Sequence, residues 1–359
     1  MQRFSAMMLD GLKAAGVAAE LILPEPVFGK FRYTGSFIAK WLAYVDKFIL
    51  FPQQLRRKLK AAPAVVHVCD HSNAMYTQHV HDTPVVVTCH DLLAVRGALG
   101  EPTDTPASST GKFLQRWILR GLRGATAVPC DSLATLHDAE QLVSRGAERP
   151  TLRVITLGLS FPYAKLTDEE VQRRLAAVPA LLTAPFALNV GSNLRRKNRE
   201  AVLRIFSQCA TSWGGQLVFA GEPLSDSLRA QADALHITDR IVEVRSPDNQ
   251  LLEAIYNRAT ALLFPSRFEG FGWPIAEAQA CGCPVICSST PPMNEVGGDG
   301  ALLRDPEDEA GFAADLTRLT DDAEHARWRA RALESAKRFA APRMIAEYCE
   351  LYRSLGAAC

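Results

Sequence analysis

One rhythm runs twice along this chain and constrains its fold more than any other feature: a short apolar run, a polar or glycine-bearing turn, then a longer stretch of helical periodicity. In the first half the runs are AELIL (19–23), AVVHVCD (64–70), PVVVTCHD (84–91), ATAVPC (125–130) and LRVITL (152–157). In the second half they are FALNVG (186–191), QLVFAG (216–221), RIVEV (240–244), ALLFP (261–265) and PVICS (284–288). Parallel strands covered by helices on both faces satisfy this alternation. The expected fold class is therefore α/β, with two Rossmann-like doubly wound domains facing across a cleft. With 359 residues, 48% of them hydrophobic, the chain can fill both cores. The expected boundaries are 1–165 and 166–340, joined near 162–185, with 341–359 a final helix packing back toward the first domain.

Open parallel sheets bind ligands beyond the carboxyl ends of their strands. At those ends stand His90 and Asp91, Gly191 followed by Arg196 and Lys197, and Glu269. Neither G-x-G-x-x-G nor G-x-x-x-x-G-K-[ST] occurs, so a dinucleotide fold and a phosphate-loop ATPase both lack their main support.

The segment FEGFGWPIAEAQACGCPVI (268–286) places Glu269 and Glu277 eight positions apart. On one continuous helix they would be separated by about 12 Å along the axis. That exceeds the roughly 5–9.5 Å of a glycosidase pair. Pro274 suits a first helical turn and Gly282 a helix end, which puts Glu269 in the loop and Glu277 in the helix. Gly270, Phe271 and Gly272 would bring bare backbone N–H groups to the positive end of that helix, where a phosphate is welcome. A carboxylate beside a phosphate is unfavourable unless it faces neutral donors, and sugar hydroxyls fit that need. The unit reads as a nucleotide-sugar grip.

In LNVGSNLRRKN (188–198), LVFAG (217–221), LLFPSRFEGFGWPIAEAQACGCPVI (262–286) and NEVGGDGALLRDPED (294–308), the chain resembles the retaining GT-B glycosyltransferases marked by E-x7-E. Weaker likenesses are VVVTCHDL (85–92), SLATLHD (132–138) and the glycine of VITLGLS (154–160). The resemblance implies that Glu269 contacts hydroxyls of the transferred sugar and that Glu277 holds the ribose. It implies that Gly270, Phe271, Gly272 and Gly191 present backbone to the donor, and that Arg196 and Lys197 neutralise the departing diphosphate. His90 is implied to lie against the sugar from the first domain. It further implies retention of configuration by front-face attack, without a cofactor or metal; two cations and oriented amides can meet the diphosphate's charge, and no D-x-D occurs. RRKN is similar to the matching stretch of some mannosyltransferases. The implied partners are a nucleotide-sugar donor and a glycan or lipid-linked acceptor.

Two departures stand out. Ser192 follows Gly191 where many relatives have arginine, and the chain opens on the helical pattern MQRFSAMMLDGLKAAG where relatives have a strand and glycine-rich loop. That strand should be central, so its neighbours are expected to lack ladder partners. Hence the alternatives of a downstream start, a nucleotide-sugar binder without turnover, or a nucleotide-sugar epimerase on this scaffold.

Net charge is +1, which does not suggest nucleic acid. Yet residues 30–60 hold eight basic residues against Asp46 alone, and Phe37, Ile38, Trp41, Leu42, Val45, Phe48 and Ile49 trace one helical face there. Peripheral contact with an anionic membrane is a secondary expectation. Nine cysteines in odd number, several within apolar runs, suggest a reducing, cytoplasmic compartment. Cys281, Cys283 and Cys287 lack a fourth ligand at zinc spacing and are expected in the core. Asp91 is expected to cap the helix that follows.

Overall fold

A computed structural model describes residues 2–24, 44–101, 103, 107–144 and 149–358. The first domain holds four parallel strands in the order β1 (Val66–Val68), β2 (Val85–Val87), β3 (Ala127–Cys130), β4 (Thr151–Val154). The second holds six parallel strands: β5 (Phe186–Gly191), β6 (Gln216–Gly221), β7 (Ile241–Arg245), β8 (Ala261–Phe264), β9 (Val285–Ser288) and β10 (Ala301–Arg304). Their spatial order is β10-β9-β8-β5-β6-β7. Buried Val, Ile, Leu and Phe fill both faces of this sheet, which is why its strands read as continuous apolar runs.

Strand order reverses between β5 and β8, so the chain leaving each passes to opposite sides and opens a crevice at their carboxyl ends. Arg196 and Lys197 follow β5, and Glu269 follows β8. The topology alone brings these three residues to one place.

Two expectations change. AELIL (19–23) forms no strand; its residues run irregularly, with Ala19 and Ile22 resting on separate core clusters. Four apolar residues among five do not make a strand without a partner edge. The expected gap inside the first sheet is also not there: each described strand pairs with the next, and β1 forms an edge. The opening pattern is the helix Gln2–Ala14, whose Phe4, Met8 and Leu12 enter the core. β10 was not among the expected strands, because ALLR has only three apolar residues.

The last helix, Ala341–Ser354, lies against the first domain. Tyr348 Oη meets Thr88 Oγ1 at 2.7 Å, Tyr352 Oη meets His67 Nδ1 at 2.6 Å, and His67 Nε2 meets Thr88 Oγ1 at 2.7 Å. Gly158 permits this crossing, since a Cβ there would fall 2.5 Å from Ala341 Cα. A second tie is Glu295 of the helix Met293–Gly297, whose carboxylate accepts from the backbone N–H of Leu133 (2.7 Å) and Ala134 (2.9 Å). These two amides open the first-domain helix Leu133–Leu142, so a helix start in one domain is completed by a carboxylate of the other.

Candidate functional site

Between the domains lies a cleft of about 430 Å³. All the expected site residues except Gly191 line it: His90, Arg196, Lys197, Glu269, Gly270, Phe271, Gly272 and Glu277. Arg3, Phe4, Asp91, Asp131, Ser160, Trp273 and Pro274 complete the wall. The two glutamates stand as their spacing predicts, Glu269 in the loop after β8 and Glu277 on the helix Trp273–Ala280. Gly272 caps that helix at φ +101°, a left-handed geometry that favours glycine, and Gly282 follows its end at φ +71°.

Glu269 sits between both cations, Arg196 Nη1 at 2.6 Å from Oε2 and Lys197 Nζ at 2.6 Å from Oε1. Arg196 also donates to the Phe268 carbonyl at 2.9 Å, which ties the β5 loop to the β8 loop. Lys197 Nζ lies 5.1 Å from the centre of the Phe264 ring. Burial pushes its ammonium below the ordinary lysine range, while Glu269 works to keep it charged. The carboxylate between them is the counter-ion of both cations.

At Gly270 an added Cβ would also meet the opposite domain, 3.0 Å from Asp91 Oδ2 and 3.1 Å from the His90 carbonyl. Phe271 is buried, with its ring edge-on to Trp273 and Phe339. Gly191 has φ +151°, and its carbonyl accepts from Arg199 Nη2 at 2.7 Å. Arg199 also reaches Asn193 Oδ1 (2.7 Å), the Glu222 carbonyl (2.8 Å) and Asn189 Oδ1 (3.2 Å). This buried guanidinium props the β5 loop from below, and adjacent basic residues in RRKNR gave no sign of which one would turn inward.

Glu277 is half-buried in the cleft wall and accepts from Tyr256 Oη at 2.9 Å. Burial raises its carboxyl to about 7, against the opposing pull of the Tyr256 hydrogen bond, Arg3 and Lys197.

His90 faces the cleft from the first domain, but neither ring nitrogen is open to a ligand. Nδ1 lies 2.6 Å from Asp131 Oδ2 and Nε2 lies 2.9 Å from the Cys69 carbonyl. Asp91 precedes Leu92, the N-cap of the helix Leu93–Ala98, and its Oδ1 accepts from Leu93 N at 3.1 Å. Asp131, Arg3 and Phe4 were not anticipated. Asp131 ends a predicted strand and could have been noticed; Arg3 and Phe4 reach the cleft only because the first helix does.

Residues 173–335 match the family model described as glycosyl transferases group 1. This stretch of the second domain is thus similar to the group 1 glycosyltransferases. Among curated relatives, O-antigen chain mannosyltransferase B of Escherichia coli is 38% identical over 114 residues, 30% of this chain and 29% of the relative. A D-inositol 3-phosphate glycosyltransferase of Acidothermus cellulolyticus is 28% identical over 253 residues, 66% of this chain and 54% of the relative. The matches thus span about half the length of these curated relatives or less. Among solved structures, sucrose-phosphate synthase of Thermosynechococcus elongatus has a TM-score of 0.72 at 21% identity, covering 99% of this chain and 93% of its own. WaaG, a glycosyltransferase involved in lipopolysaccharide biosynthesis, has a TM-score of 0.71 at 13% identity, covering 98% and 95%. HepE of Anabaena, solved with UDP and glucose, has a TM-score of 0.71 at 15% identity, covering 96% and 88%. The fold is GT-B.

Cys281, Cys283 and Cys287 are buried among apolar side chains, and all eight described cysteines are free thiols. No described helix is long and apolar enough to cross a membrane. Lys30, Arg32, Lys40, Phe37, Ile38, Trp41 and Leu42 of the basic segment lie outside the described residues.

Proposed function

We propose that the protein transfers a hexose from a nucleoside-diphosphate sugar to an acceptor hydroxyl, with retention of configuration, in glycan or glycolipid assembly. The observation that carries this reading is the meeting of Arg196, Lys197, Glu269 and the start of the helix Trp273–Ala280 at the β5/β8 crevice, walled on the far side by His90. On donor binding the diphosphate takes Arg196 and Lys197 from Glu269, leaving that carboxylate free to accept from sugar hydroxyls. Glu277 receives the ribose hydroxyls. Charge on the leaving diphosphate is met by side chains and helix-end amides, so the reaction is proposed to need no cofactor or metal. The O-antigen mannosyltransferase relative makes mannose the first sugar to try. Purified protein incubated with GDP-mannose, UDP-glucose and UDP-galactose should release nucleoside diphosphate from one of them, and Glu269→Ala should abolish that release. Release that persists unchanged in this variant would refute the reading.

A basic, aromatic face on the first domain supports a lipid-linked acceptor met at an anionic membrane. Tyr44, Phe48, Trp117 and Phe113 follow one another with ring separations of 5.7, 5.3 and 6.4 Å. Phe113 is 69% exposed and Ile49 54%. Lys112 and Arg116 neighbour them on the helix Ser109–Arg123, and Arg56, Arg57, Lys58 and Lys60 lie on and just beyond the helix Phe51–Lys58. Each cation near such a surface contributes about 1 kcal/mol. Flotation with anionic but not neutral vesicles is expected, reduced by Phe113→Ser; equal absence of binding to both vesicle types would remove the idea.

A further inference from the structure

The cleft has one buried acid that the proposed reaction does not use. Asp131 follows β3, is 1% exposed, and aims Oδ2 at His90 Nδ1 across 2.6 Å. Among the described residues its Oδ1 accepts no hydrogen bond, so its bonding is directed to the imidazole alone. The other ring nitrogen, Nε2, faces the Cys69 carbonyl, which can only accept. A ring with acceptors at both nitrogens is best served when both carry protons. Phe4 closes a third side, its ring edge-on to the imidazole at 5.0 Å.

We propose that Asp131 is a positioning residue that holds His90 as a fixed imidazolium in the cleft wall, so that His90 offers the donor's diphosphate or sugar a positive charge and cannot act as a general base. This rests on the nucleotide-sugar reading for its purpose, but its physical content stands without it.

The groups around His90 agree. Burial works against the cation, yet Asp131, the Cys69 carbonyl and Asp70 raise it to about 9. His67, on β1, is pushed down to about 3, first by burial and then by the charge of His90. His71 is likewise lowered by burial, with His90 adding to the effect while Asp91, Asp70 and Asp131 oppose it. One histidine of the three thus carries the charge, and its two neighbours stay neutral. Across the cleft the β8 loop brings Glu269, already paired with Arg196 and Lys197, and the first helix brings Arg3.

Nitrogen-detected or long-range proton–nitrogen NMR of the unliganded full chain tests this directly, with His90→Gln assigning the signal. Both ring nitrogens of His90 are expected to stay protonated from pH 6 to pH 8. In Asp131→Asn the signal should titrate below pH 7. The affinity for UDP or GDP should then fall by about tenfold at pH 8, but little at a pH below the variant's own measured titration, where its ring is protonated. A neutral His90 in the unmutated protein at pH 7 would overturn the proposal, and that measurement holds even if the variant fails to fold. An affinity loss equal at both pH values would also overturn it, leaving Asp131 a purely structural role. If neither nucleotide binds the unmutated protein, the donor reading fails while the NMR result still decides the state of His90.

Discussion

Replacing Glu277 by Gln should make the protein more stable at pH 8 and leave it unchanged at pH 4. The carboxyl is half-buried in the cleft wall and is raised to about 7, chiefly by burial. Once unfolded it returns to the ordinary range near 4.5. Below that range both states are protonated and the group is neutral to stability. As pH rises from about 4.5 the unfolded chain gives up its proton first, which favours unfolding, and the cost is complete once the folded carboxyl has also ionised, above about 7. At pH 8 that cost is about 3 kcal/mol. A glutamine has nearly the same shape, keeps an oxygen to accept from Tyr256 Oη, and carries no charge to bury. Differential scanning calorimetry from pH 4 to pH 8 should show the variant's advantage growing to about 4 °C, with most of the rise between pH 5 and 7. A difference between the two proteins that does not vary with pH would refute the reasoning. The same burial has a functional face: ribose hydroxyls arriving at the carboxylate should lower its pKa, so nucleotide binding near pH 7 should release a proton to the buffer. Calorimetric titration in buffers of different ionisation enthalpy measures that release.

Several other outcomes are expected. Lys197→Ala and Arg196→Ala should each weaken UDP or GDP binding by roughly tenfold to a hundredfold, as loss of a charge-assisted hydrogen bond would, and equilibrium dialysis checks both. Gly270→Ala forces a methyl group against Asp91 and the His90 carbonyl, so it should cost about 1–3 kcal/mol and lower kcat as the domains are pushed apart; thermal melts and turnover measured on the same sample test it. Glu295→Ala leaves the Leu133 and Ala134 amides without their acceptor and should destabilise by about 1–2 kcal/mol, with faster proteolysis between the domains as the readout. Transfer measured with EDTA and with added magnesium should proceed at the same rate; an absolute need for the ion would refute the proposed metal-free neutralisation of the diphosphate.

Much of this architecture was legible along the chain. The doubly repeated alternation leads to two parallel sheets, because buried parallel strands must be apolar on both faces and need helical crossovers between them. Pro274 and Gly282 marked the ends of the helix that carries Glu277 through their own backbone constraints. AELIL (19–23) misled for the opposite reason: a strand exists only where another edge accepts its ladder, and local composition does not report that edge.

What tertiary structure decided were the relations between distant residues. Glu269 was expected at sugar hydroxyls and Arg196 and Lys197 at the diphosphate, and only the β5/β8 switch point makes them one another's ion pairs. Gly270 was read as bare backbone beside a ligand, and the fold also sets it against the other domain. Asp131 and His90 are 41 positions apart and meet because β2 and β3 are neighbours in the sheet. Periodicity and turn chemistry act over a few residues and are written locally, whereas the charge of a buried side chain depends on which partners the fold brings within about 3 Å, and those partners lie far away along the chain.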